Sequence, residues 1–212
     1  STRSTISLLL VCVWSIRLTH SYFRREEWKF GQREDWRYTK MAKDFPRIWP
    51  LLSLFAVGLA QQPMLVGVTL PSFTIHNNAS PWNWLDTLAT ITCIFGLTLA
   101  GVADNQLRAY MIENEALVAA GKKKQQLLNT GVWQYSRHPN YLGETTWWLG
   151  YGLFAVNLNQ WYMLGGWVIN TATLISVTFM TENRMLSNWP ADRKKLYQQY
   201  QKDTKSWIPG VV

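Results

Sequence analysis

Nineteen of the 21 lysine and arginine residues fall in three of the segments that separate the chain's long apolar runs. That partition constrains the fold more than any single motif. Apolar runs occupy residues 6–20, 48–70, 84–103, 142–156 and 161–180, lengths at or near what a helix needs to cross roughly 30 Å of hydrocarbon. If the runs alternate in direction, one face receives segments 21–47, 104–141 and 181–212, which carry 8, 5 and 6 basic residues. Segments 71–83 and 157–160, on the opposite face, carry none; only Arg3 and Arg17 remain. Basic residues collect on the cytoplasmic or matrix side of multi-pass proteins. The pattern therefore predicts an all-α fold, a polytopic transmembrane helical bundle of about five spans, built as a single membrane domain over residues 1–212.

Composition agrees. Charged residues are only 16% of the chain, below the roughly 25% of an average soluble domain, and the 13 Trp and 9 Tyr suit membrane–water boundaries. A net charge of +8 admits an anionic membrane surface or an anionic cofactor. It does not make a nucleic-acid binder, because the basic loops are short, interspersed with acids and tethered to membrane. Cys12 and Cys93 lie in apolar stretches and read as core residues, and His20, His76 and His138 stand too far apart in sequence for a metal motif. Asn78-Ala79-Ser80 fits a glycosylation triplet, but Pro81 follows it and such triplets are common by chance. The localisation expected is an integral membrane one, in the endoplasmic reticulum or the mitochondrial inner membrane.

Chemistry concentrates in segment 104–144. Asp104 and Arg108 stand four apart, so on a helix continuing from the third span they share a face; that helix is expected to stop at Gly121, before Lys122, Lys123 and Lys124. Asn140 after Pro139 reads as the cap of the fourth span, which puts Tyr141 to Glu144 in its first turn. A helix amino terminus attracts anions, and Arg137 with His138 just outside it would complete a phosphate clamp. Glu144 lies just inside the membrane boundary, where a carboxylate is costly without a partner or ligand. Gly143 and Gly150, seven apart, would let a helix or a flat ligand approach closely. Arg17, near the end of the first run, reads as an anchor that snorkels to the interface.

Ser136-Arg-His-Pro-Asn-Tyr-Leu-Gly-Glu144, with Ala103-Asp-Asn-Gln-Leu107 and Gly131-Val-Trp133 before it, resembles the signature of steroid 5-alpha-reductase-like membrane proteins. The resemblance is greatest to their uncharacterised branch carrying a domain of unknown function. Ile16-Arg-Leu18, Glu34-Asp-Trp-Arg-Tyr38, Tyr197-Gln-Gln-Tyr-Gln201 and Trp207-Ile-Pro209 extend it over nearly the whole chain. The Arg-His-Pro core is shared more distantly with isoprenylcysteine carboxyl methyltransferases, whereas Asn140 and Glu144 favour the reductases. The resemblance implies an enzyme that holds NADPH in a cytosol-facing cavity and reduces an activated carbon–carbon double bond of a lipid. Carried over residue by residue, Asp104, Arg108, Arg137, His138, Asn140, Tyr141 and Glu144 would line the dinucleotide pocket, with Glu34, Asp35, Arg37 and Tyr38 contacting it from the first basic loop.

The substrate half of the site departs from that pattern. Reductases of this group resemble one another in polarising the substrate carbonyl with a Tyr paired to a Glu on an earlier helix. Here Tyr22 falls one place late in Leu18-Thr-His-Ser-Tyr-Phe-Arg24, residues 1–25 contain no Asp or Glu, and the helix carrying the Glu would precede residue 1. Where the branch leads one to expect a carboxylate, position 101 is Gly. Tyr22 and Glu144 are the expected catalytic residues. Two alternatives stand beside the reductase: a non-catalytic relative acting as an accessory subunit with other membrane subunits, and a membrane methyltransferase using S-adenosylmethionine.

Overall fold

The computed structural model describes residues 1–25, 35–59 and 61–208. Its elements are α1 (Thr2–Arg25), α2 (Trp36–Asp44), α3 (Trp49–Ser53), α4 (Gln61–Asn77), α5 (Trp84–Ala119), α6 (Pro139–Asn157), α7 (Leu164–Asn188) and α8 (Ala191–Asp203). Among the described residues there are no strands. Among the described residues, Thr2–Arg24 of α1, α5 and the Trp161–Asn188 segment that contains α7 are long and apolar enough to cross a membrane.

End-to-end contacts show that α1, α4, α5, α6 and α7 run in alternating directions. At one end Arg3 of α1 bonds both oxygens of Asp86 at the start of α5, at 2.6 and 2.7 Å, and the carbonyls of Ser80 and Pro81. Ser4 meets His76 and Asn83 meets Asn157 at that same end. At the other end Arg17 and Arg24 of α1 reach Asp104 and Asn105 of α5. The loops predicted to be free of basic residues therefore share one end, and the basic segments share the other.

Two passes fall short of a regular apolar helix, for physical reasons. A π-helix over Leu54–Leu59 precedes α4; Pro63, in the first turn of α4, cannot donate to a carbonyl four residues back, which disfavours a regular α-helix running into this point, although Pro71 is accommodated inside α4. Helix α6 has only 19 residues and carries Glu144, two threonines and Asn157.

The core is the α5–α6 seam. A Cβ on Gly96 would lie 2.4 Å from the Trp147 nitrogen, one on Gly143 2.5 Å from the Ala100 nitrogen, and one on Gly150 2.6 Å from the Cys93 nitrogen. The face of Gly143 and Gly150 is thus filled by α5 itself, not by a flat ligand. Small residues at such a seam let backbones touch, the usual means of helix association where burial from water supplies no drive. Trp147, Trp148, Tyr151 and Phe154 pack around it. Near α7 a second close approach joins Gly67 and Gly166.

Helix α5 continues well past the membrane boundary expected near residue 103. Its 36 residues make a rod of about 54 Å, and it ends as the glycine at 121 predicts. Gly121 takes φ +68, its N–H bonds the Val118 carbonyl, and that of Lys122 bonds Leu117.

Candidate functional site

At the basic end, α1, α4, α5, α6 and α7 enclose a cavity of about 710 Å³. Its centre is one cation between two carboxylates. Arg17 Nη1 donates to Asp104 Oδ2 at 2.9 Å and Nη2 to Glu144 Oε2 at 2.7 Å. Side-chain exposures of 15, 23 and 20% for Arg17, Asp104 and Glu144 keep water from screening these pairs fully. Glu144 Oε1 accepts from the indole N–H of Trp14 at 2.8 Å and of Trp148 at 3.2 Å. The carboxylate that needed an explanation is therefore held by three donors. Arg17 passes beside Gly101, where a Cβ would sit in ordinary contact, 3.8 Å from the Arg17 Cδ.

Around this centre the wall divides by polarity. Tyr22, Arg24, Arg108, Asn140 and Tyr141 form the polar part; Leu18, Leu65, Val68, Leu107, Met111 and Leu174 form the apolar part. Four buried polar atoms in the wall have no hydrogen-bond partner: Arg17 Nε, Arg108 Nε, Asn140 Oδ1 and Asn170 Nδ2. Buried polar groups are nearly always satisfied by protein, water or ligand, and four of the six unsatisfied side-chain atoms among the described residues belong to this wall. The volume suits a ligand, since small-molecule sites commonly span about 300–1,000 Å³.

The expected site residues separate into three groups. Tyr22, Asp104, Arg108, Asn140, Tyr141 and Glu144 come together in the cavity wall. Arg137 and His138 do not line it. Arg137 donates to both Glu182 oxygens, at 2.9 and 3.0 Å, and to the Gln201 and Thr204 carbonyls, while His138 Nε2 lies 2.9 Å from Glu182 Oε1. Gln201 adds a further bond to Glu182. The backbone of 137–138 also pairs with the carbonyls of Lys205 and Ser206. These residues bind the carboxyl-terminal segment onto the mouth of α6. Tyr197 and Tyr200 are packed beside them, and burial pushes both phenols well above their usual pKa.

Asp35 and Arg37 make up the third group, at the start of α2. Asp35 caps the helix by accepting from the Arg37 N–H, and its side chain pairs with the Arg37 guanidinium at 2.6 Å; that hydrogen bond raises the Arg37 pKa. Neither is part of the cavity wall. Glu34 and Pro209 lie outside the described residues.

The expectation that Asn140 caps α6 is corrected. The helix begins at Pro139 with His138 in the cap position, because proline's fixed φ and missing N–H suit the first helical residue. Asn140 is thereby released to face the cavity. Trp14, Arg17 and Asn170 were not expected in the site. Two carboxylates at a membrane boundary demand a buried cation, and that demand could have singled out Arg17.

The family model described as "Protein of unknown function (DUF1295)" matches residues 1–204. An uncharacterized protein of Schizosaccharomyces pombe is 26% identical over 225 residues, an alignment covering 100% of this chain. The chain spans 64% of that relative's length. No solved structure matches the chain.

Proposed function

We propose, from the premise that the chain belongs to the DUF1295 family, that its cavity holds NADPH beside a neutral lipid and reduces an activated carbon–carbon double bond of that lipid. The observation that carries the reading is the set of four unpartnered buried polar atoms in one cavity whose wall is cationic on one side and apolar on another. The resemblance of Ser136–Glu144 to steroid 5-alpha-reductase-like proteins supports it.

The residues fit both ligands. Arg24 and Arg108 supply the charge that phosphates require, and Asn140 Oδ1 is an acceptor suited to a carboxamide N–H. The Arg17 clamp fixes Asp104 and Glu144, which offsets one of their two negative charges and orients both carboxylates before any ligand enters. The apolar wall excludes water from the reacting carbons.

When bound, NADPH would be the source of the hydride that one carbon of the double bond takes. The other carbon needs a proton, and the negative charge that develops on a conjugated oxygen needs a donor. Tyr22 is one of two phenols in the wall, with Tyr141, and is 38% exposed; in this reading it gives the proton and regains one from water at the basic face.

Reconstituting the full chain in nanodiscs with cholestenone and NADPH deuterated at its transferable hydrogen tests the reading. Mass spectrometry should find one deuterium in the reduced lipid. Retained NADPH binding with no deuterated product would favour a non-catalytic accessory role.

A further inference from the structure

The unpartnered amide of Asn170 has no task in the chemistry above. Asn170 sits on α7, among apolar residues of the run 161–180, and faces the part of the cavity walled by Leu65 and Val68 of α4, Leu174 of α7 and Trp148 of α6. Its Nδ2 is buried without a partner. Everything else polar in the wall comes from α1, α5 or the start of α6. On α7 the wall thus offers one neutral donor, Asn170, one helical turn before the apolar Leu174.

Close helix contacts flank Asn170. Helices α4 and α7 meet where a Cβ on Gly166 would fall 2.1 Å from the Gly67 backbone, four residues before Asn170 and beside Leu65 and Val68. Trp167 donates to the Thr145 carbonyl at 3.0 Å, and Thr171 bonds Thr145. Asn170 lies between these contacts on α7.

A lone buried donor costs stability unless a ligand acceptor satisfies it. A charged head would be left unpaired there, and a hydrocarbon would leave the amide unsatisfied. We infer that Asn170 is a specificity-determining residue, donating from Nδ2 to the single uncharged acceptor oxygen, a ketone or quinone carbonyl, of an otherwise apolar lipid that lies against Leu65, Val68 and Leu174. The inference rests on the proposed reductase reading for what happens to the lipid afterwards. It also gives the substrate half of the site a carbonyl contact that does not depend on any residue before Ser1.

The test is equilibrium binding, without turnover, to the full chain in nanodiscs, read by quenching of the cavity tryptophans. The probes are cholestenone and cholestene, the same skeleton without the oxygen. Wild type should prefer cholestenone, and Asn170→Leu, which keeps the branch at Cγ but removes the donor, should bind it about tenfold more weakly with cholestene unchanged. Asn170→Gln, which keeps the donor, should retain part of the preference. Equal loss for both probes in Asn170→Leu would show that Asn170 merely shapes the cavity, and no change for either would show that it touches no oxygen; both overturn the inference, as does a wild type that binds neither probe saturably. The reductase reading fails separately: discrimination that survives in a protein giving no deuterated product leaves the assignment of Asn170 standing and removes the reaction.

Discussion

Arg17 and Glu144, 127 residues apart in sequence, meet at 2.7 Å in the cavity, and the same guanidinium holds Asp104 at 2.9 Å. One cation thus joins the first, third and fourth apolar runs at the basic end of the bundle. Opposite it, Arg3 and Asp86 do the same for the first and third, with both side chains at 1% exposure or less.

Removing that cation leaves two carboxylates facing each other in a part-dry cavity. Arg17→Gln is expected to destabilise by about 3 kcal/mol, read as a fall in thermal midpoint in detergent. Adding Glu144→Gln to Arg17→Gln should recover a good part of the loss, since the second change removes the stranded charge. A double mutant no better than the single would show that Arg17 acts by packing.

Glu182 gathers Arg137, His138 and Gln201. Glu182→Ala should expose residues 191–208 to limited proteolysis while NADPH affinity stays within about twofold, because this cluster is separate from the cavity. A tenfold fall in affinity with an intact tail would return Arg137 to the cofactor.

The α5–α6 seam tolerates no added atom. Gly143→Ala puts a methyl against the Ala100 nitrogen and the Gly96 carbonyl oxygen at 2.5 and 2.7 Å, and overpacking of this kind costs about 1–3 kcal/mol. Gly165→Ala, with nothing within 4 Å, should be neutral or slightly stabilising. Thermal melts of the two variants side by side make the comparison.

Sidedness is open to cysteine labelling. In a Cys12→Ala, Cys93→Ala background, Ser80→Cys and Lys122→Cys should react with an impermeant maleimide from opposite sides of a sealed vesicle. Labelling of both from one side would contradict the alternation of passes.

The passes were legible because apolar runs and the basic partition depend only on neighbouring residues. So was the end of α5, where a left-handed glycine has a local signature. The clamp was not. Arg17 in isolation has the position of an interface anchor, and its partners are remote in sequence, so only the folded chain shows that it is turned inward. Arg137 and His138 looked like part of an anion site because they precede a helix; the carboxyl-terminal segment and Glu182 take up their donors. Asn140 was misjudged by one helical position, which decided whether its side chain served the helix or the cavity. Asn170 carried no signal at all, being one amide in an apolar run.

The central claim is that the cavity around Arg17, Asp104 and Glu144 takes a reduced dinucleotide. Trp14 and Trp148 both lie in its wall, so bound NADPH should receive energy from them and report its own occupancy. Titrating NADPH into the full chain should give saturable tryptophan-sensitised nicotinamide emission, weakened about tenfold or more by Arg108→Ala and unaffected by Arg37→Ala. Wild type and Arg108→Ala giving the same curve, or no saturable signal from wild type, would contradict the account.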